Sequence, residues 1–163
     1  MSKLTTFWKS YFVGAAVTGV VLAYGAYKSN AFAIEDYAKL SLVDMQGQPV
    51  DLQQYANRPL VVNYWATWCK PCIEEFPGFE ASRRQVGQGV TFLMISDDPL
   101  AKVQRFVRNK PYGFVFLKST KPLSLHMRPV TYFYNRDHSR SYKQTGAFGL
   151  DSARVNDYLR RIR

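Results

Sequence analysis

The chain has 163 residues, of which 47% are hydrophobic and 15% aromatic; that is room for one domain with an ordinary core, and it excludes a large multidomain enzyme, a disordered segment and a collagen-like or coiled-coil architecture. Its two cysteines leave one disulfide or one dithiol and exclude both a disulfide-stapled mini-protein and a four-thiolate zinc site. The net charge of +10 is unevenly placed, with 8 Lys/Arg against 9 Asp/Glu in residues 1–101 and 14 against 3 in residues 102–163. No nucleic-acid motif accompanies this charge, so it reads as a solvated basic surface, with anionic lipid the other reading and nucleic acid not expected as a partner.

Ser10 to Tyr27 is a run of eighteen residues without a charge, roughly 27 Å long as a helix against a bilayer core of about 30 Å. Lys3 and Lys9 precede it and Glu35 and Asp36 follow soon after Lys28, which predicts a cytoplasmic N-terminus and an exported remainder. Phe7, Trp8, Tyr11, Tyr24 and Tyr27 lie near its ends, where amphipathic rings favour the interface. The expected organisation is a transmembrane signal-anchor over 1–28, a tether over 29–38 and a folded domain over 39–163. The expected location is the inner (cytoplasmic) membrane, single-pass, with the domain on the periplasmic side. Ala31-Phe32-Ala33 has the form of a signal-peptidase site, so a cleaved leader is the alternative, although the apolar run is longer than such peptides use. Ala15, Gly19 and Ala23 form a small-residue stripe on which two membrane helices can approach.

Leu40, Leu42, Val50 and Leu52 alternate around the turn Gln46-Gly47-Gln48-Pro49 and predict a small hairpin. Leu60 to Ala66 reads as a strand buried on both faces. From Cys69 to about Val86 the apolar residues Cys72, Phe76 and Phe79 take helical spacing, with a kink expected at Pro77 and an end at Gly87-Gln88-Gly89. Val90 to Ser96 is a second buried strand. Asp97-Asp98-Pro99 is read as the cap and first turn of a helix reaching about Asn109. Strands are expected at Phe114–Leu117, Val130–Tyr134 and Ser141–Thr145, and a final helix, capped by Asp151, carries Val155, Leu159 and Ile162 on one face. The order predicts an α/β domain whose parallel core continues into an antiparallel hairpin, with helices on both faces.

Trp68-Cys69-Lys70-Pro71-Cys72 places two thiols two residues apart where a strand turns into a helix. At the helix start, partial positive charge and unpaired N–H groups favour thiolate over thiol at Cys69, and Lys70 adds a cation. Cys72, one turn further in, is placed to resolve a mixed disulfide formed at Cys69. Pro71 fixes the backbone there and lacks an N–H that would need a partner. A structural disulfide closing so short a loop would be a poor staple, and zinc would need ligands that His126 and His138 do not supply at paired spacing. No metal site is expected.

The run Asn63 to Pro77 (NYWATWCKPCIEEFP) resembles the active-site segment of the TlpA/ResA-like thioredoxins, a membrane-tethered group that includes the cytochrome c maturation thioredoxins, and the resemblance extends over about residues 40–163. It implies a thioredoxin-like fold, a central mixed sheet flanked by helices. It also implies thiol-disulfide exchange with Cys69 as nucleophile and Cys72 as resolving thiol, the Cys69–Cys72 disulfide as the redox centre, and no prosthetic cofactor. Pro129 matches the family's cis-proline beside the CxxC, whose backbone offers strand addition to an extended substrate. Glu75 matches a buried glutamate that raises thiol pKa values and relays protons. Asn63 stands where ordinary thioredoxins have an aspartate. Trp65 is expected in the core, and Trp68 on the docking surface.

Two departures stand out. Lys118 to Arg128 is several residues shorter than the family usually has, which predicts an abbreviated or lost helix before Pro129. Arg128 replaces the usual small or aliphatic residue, so a cation beside the groove is expected to favour an acidic partner. The resemblance implies a reductant acting on apocytochrome c, a maturation factor or a copper-site assembly protein, supplied with electrons by a membrane thiol reductant of the DsbD/CcdA kind. The alternatives are a general disulfide oxidase or isomerase, or a copper-binding chaperone using Cys69, Cys72 and His126.

Overall fold

The computed structural model describes residues 12–24, 36–125, 127–149 and 152–162. It separates into two units, Met1–Ile34 and Glu35–Arg163. In the first, residues 12–24 form a helix, α1, whose Phe12, Val13, Val17, Val20, Val21 and Leu22 are exposed. Among the described residues no helix is long and apolar enough to cross a membrane; both ends of the Ser10–Tyr27 span, and Ala31–Ala33, lie outside the described residues.

In the second unit, six strands form one sheet in the order β1-β4-β3-β2-β5-β6. They are β1 (Leu42–Val43), β2 (Leu60–Tyr64), β3 (Thr91–Ser96), β4 (Val115–Ser119), β5 (Val130–Tyr134) and β6 (Arg140–Thr145). β2, β3 and β4 are parallel neighbours, β5 pairs antiparallel with β2, and β6 with β5. The helices are α2 (Lys70–Val86), α3 (Leu100–Val107) and α4 (Ser152–Arg161).

The side chains of β2 and β3 alternate between two cores, as the pleat requires. Val61, Phe92 and Met94 join Phe76 and Phe79 of α2, Val103 of α3, and Val155 and Leu159 of α4. Leu60, Val62, Tyr64, Leu93 and Ile95 face the other way, onto Tyr37, Leu42, Leu123, Tyr132 and Tyr134.

Among the described residues of this unit, α2, α3 and α4 thus cover one face, which corrects the expectation of helices on both. The crossovers β2-α2-β3 and β3-α3-β4 step the same way across the sheet, and the right-handed rule then sends both helices to the same side. A helix opposite would have to come from the β4–β5 connection. Its described residues hold none, in keeping with the shortness of that segment, and the face is closed instead by the 3-10 turns Tyr37–Lys39 and Leu52–Tyr55 and by Leu123.

Three smaller expectations also change. Residues 36–38, assigned to the tether, belong to the fold, because Tyr37 is buried and its hydroxyl shares a hydrogen bond of 2.9 Å with His138 Nδ1, while His138 Nε2 lies 3.2 Å from the Tyr55 carbonyl. The hairpin over 40–52 is shorter than expected, held by one antiparallel bridge between Val43 and Pro49. Val50 N–H donates to the Leu42 carbonyl, Leu52 enters a 3-10 turn, and β1 pairs with β4. α3 starts after Pro99 with no side-chain cap, because the Asp97 and Asp98 carboxylates are used elsewhere. Asp151 lies outside the described residues.

α2 runs unbroken through Pro77. Its outer part is tied to the 109–114 loop by Glu80, which is buried yet accepts from Arg83, from Arg84 and from the Gly113 N–H. The Arg83 hydrogen bonds, helped by those of Arg84 and Gly113, hold the Glu80 carboxyl down at about 2 against its desolvation.

Candidate active site

In an open sheet with parallel strands, sites form beyond the carboxyl ends of those strands, here after Tyr64 of β2 and Ser96 of β3. The β2 chain leaves through Trp65, whose N–H still donates to the Ile95 carbonyl at 3.0 Å, and turns at Ala66, whose carbonyl accepts from the Cys69 N–H at 3.1 Å. Cys69 caps α2 in an extended conformation, and its carbonyl accepts from the Ile73 N–H at 3.2 Å. Pro71 lies in the first turn of the helix.

Cys69 and Cys72 form a disulfide with Cα atoms 5.3 Å apart. Cys72 is fully buried, Cys69 is 5% exposed, and the preceding Trp68 is 68% exposed. Of the pair, Cys69 at the helix start keeps the slight exposure, and Cys72 is covered. Lys70 is exposed and faces Glu74 across 3.7 Å, so its charge is turned along the helix surface.

Glu75 lies one turn beyond Cys72, 1% exposed. Its Oε1 accepts from Asn63 Nδ2 at 2.8 Å and its Oε2 from the Phe148 N–H at 3.1 Å. The second Asn63 N–H goes to Thr131 Oγ1 at 2.9 Å. Burial pushes the Glu75 carboxyl up to about 7, against the opposing hydrogen bonds from Phe148 and Asn63. A buried acid with this value exchanges a proton readily near neutral pH.

The Arg128–Pro129 peptide is cis. Tyr64 pairs with Val130, so the register sets Pro129 opposite the start of the turn leading to Cys69, and the Pro129 carbonyl accepts from Gly146 N–H at 2.9 Å. Arg128 is not a free cation. Its guanidinium lies 2.7 Å from Asp97 Oδ1 and over the Trp68 ring at 5.6 Å, with its side chain only 10% exposed.

The structure thus brings Trp68, Cys69, Pro71, Cys72, Glu75, Arg128 and Pro129 to one end of the sheet. Sequence reasoning missed Asp97, Asp98, Thr131 and Phe148. Asp98 Oδ2 accepts from the Thr67 N–H at 2.6 Å, and Asp97 Oδ2 from the Leu123 N–H at 2.9 Å, so the two aspartates hold both sides of the site from the end of β3. Two carboxylates just past a parallel strand were a signal; a local capping pattern concealed it. Among the described residues no group of three or more His, Cys, Asp or Glu is placed to hold a metal; His126 lies outside them.

The sequence model of the AhpC/TSA family matches residues 34–123. The chain is 32% identical over 125 residues to the thiol-disulfide oxidoreductase ResA of Halalkalibacterium halodurans, a match covering 71% of this chain and 69% of that protein. It is 26% identical over 88 residues to the thioredoxin-like protein YneN of Bacillus subtilis, covering 52% of each. A secreted Mycobacterium tuberculosis disulfide oxidoreductase homologous to E. coli DsbE superposes with a TM-score of 0.66 over 79% of this chain and 100% of that one, at 18% identity, which shows the thioredoxin-like α/β fold. The chain belongs to the AhpC/TSA family, among the thiol-disulfide oxidoreductases of the ResA type.

Proposed function

We propose that the chain is a membrane-anchored, extracytoplasmic reductant of protein disulfides, with Cys69 as nucleophile, Cys72 as resolving thiol and Glu75 as proton acceptor. The observation that carries this reading is Glu75, a buried carboxyl one turn beyond the covered Cys72, ionising near 7. A carboxyl there disfavours thiolate on its neighbours. A site in which a buried carboxyl offsets the helix start's stabilisation of thiolate holds its dithiol less tightly than a strong oxidant does, and so gives electrons away more readily.

In the proposed cycle the Cys69 thiolate attacks one sulfur of the substrate disulfide and forms a mixed disulfide, expelling the other substrate sulfur as a thiolate that takes a proton from water. Cys72 passes its proton towards Glu75 and attacks the Cys69 sulfur. The substrate leaves carrying both electrons as a dithiol, and the Cys69–Cys72 disulfide remains. A second dithiol must then restore the reduced form; the family resemblance suggests a membrane reductant of the DsbD/CcdA kind. It likewise suggests apocytochrome c, a maturation factor or a copper-site assembly protein as substrate. The anchor rests on the uncharged span Ser10–Tyr27 and the lysines before it.

Replacing Cys72 by Ser tests the roles. The reduced variant, mixed with a disulfide-bonded apocytochrome c peptide, should accumulate a covalent adduct at Cys69 that a small thiol releases, and Cys69→Ser should give none. An adduct on neither variant contradicts the reading.

A further inference from the structure

A cation beside the cis-proline, Arg128, invites an acidic partner. The structure turns that cation inward. One nitrogen of its guanidinium sits 2.7 Å from Asp97 Oδ1, and the planar group lies over Trp68. Asp97 divides its oxygens, since Oδ2 accepts from the Leu123 N–H at 2.9 Å. It therefore grips the 123–128 segment at both ends, once through backbone and once through a side chain, and leaves the charge of Arg128 compensated.

Apart from Lys70, which faces Glu74 along the helix surface, the most exposed large side chains near the sulfur are apolar. Within the described residues of Glu35–Arg163, the exposed large hydrophobic side chains are Trp68, at 68%, and Met127, at 53%. Trp68 directly precedes Cys69, and Met127 stands two residues before Pro129. The Arg128 guanidinium over the Trp68 ring brings the segment next to Met127 to this tryptophan; large exposed apolar side chains mark a contact surface, and Trp with Met supplies both a rigid anchor and an adaptable one.

We infer that Asp97 is a specificity-determining positioning residue: by holding Arg128 against itself it makes the docking surface one that selects a polypeptide segment with apolar residues beside its disulfide, and not an acidic one. The inference rests on the reading of Cys69 as nucleophile and names the substrate class of that same site. The exchange itself is unchanged, with two electrons passing from the Cys69/Cys72 dithiol to the substrate disulfide.

The test uses the reduced full chain and three disulfide-bonded peptides that differ only in the residue beside one half-cystine, which is Leu, Glu or Lys. The native chain should give its highest kcat/KM with the Leu peptide, and its Glu-to-Lys ratio should change little as salt is raised. Asp97→Asn frees the guanidinium, and the Glu-to-Lys ratio should rise by roughly fivefold, the range of a partly exposed ion pair. Adding Arg128→Gln to Asp97→Asn should return the ratio to the native value. A residue that only supports the fold would slow all three peptides together. A native preference for the Glu peptide, a salt-sensitive native ratio, or a ratio unmoved in Asp97→Asn each overturns the inference; the salt series on the native chain stands even where a variant folds poorly. Continued exchange by Cys69→Ser would instead defeat the nucleophile assignment, independently of any ratio.

Discussion

Asn63 of β2 donates to Glu75 of α2 over 2.8 Å, so the carboxyl beyond the disulfide is held by the central strand of the sheet. A neutral amide at this position lets the acid be buried without a second charge, and it also orients the acid, because its other N–H is held by Thr131 on β5. The pair joins the helix that carries the thiols to the strand that follows Pro129.

Glu75→Gln should change stability in a pH-dependent way. The carboxyl moves from its ordinary 4.5 to about 7 on folding. A raised acid contributes its full stability below about 4.5 and loses it as pH rises through 7, because the fold must then hold a buried charge, at a cost on the order of 3 kcal/mol. The native chain should therefore fall behind Glu75→Gln progressively between about pH 4.5 and pH 7 and show no further relative loss above about pH 8, as read by urea unfolding of the two chains. Equal pH dependence would contradict the assignment.

The same substitution should slow disulfide reduction by about a hundredfold near neutral pH, the scale of a lost proton acceptor. The deficit should shrink at alkaline pH, where thiols ionise unaided. A pH–rate profile of the two chains reads this directly.

Asn63→Asp should place a second carboxylate in hydrogen-bond reach of Glu75. Two like charges in one buried site cannot both ionise cheaply, so stability should drop by about 2 to 4 kcal/mol at pH 8 and recover at pH 5. Denaturation midpoints at the two pH values check it.

Glu80 should behave in the opposite sense to Glu75. Its carboxyl is lowered to about 2, so its contribution is present above about 4.5 and is lost as pH falls through 2. Glu80→Gln should cost about 2 kcal/mol at pH 7, shrinking as acid is added, by thermal or urea unfolding. Gly113→Ala should also destabilise, since a Cβ there would run into the Arg83 guanidinium that Glu80 holds.

Much of the fold was legible because long-range context was not needed to see it. Val130–Tyr134 and the other buried strands are short apolar or β-branched runs between breakers, and their limits match the structure to within a residue or two. That Glu75 shares a helix face with Cys72 follows from spacing alone. Its partners do not, since Phe148 lies 73 residues away and nothing local announces that its N–H is directed there. The covered face of the sheet was misjudged because crossover direction decides it. Asp97 and Asp98 carried a helix-cap pattern while tertiary contacts with Arg128, Leu123 and Thr67 took their oxygens. Arg128 shows the same limit, for a residue's charge is written in the sequence whereas its neutralising partner, 31 residues away, is not.

The reduction potential of the Cys69–Cys72 pair tests the central claim most directly. Equilibration of the full chain with a dithiol buffer at pH 7 should give a value at or below about −270 mV, the level of thioredoxin. A value near about −120 mV, that of a strong disulfide donor, would reverse the direction of electron flow and contradict the account.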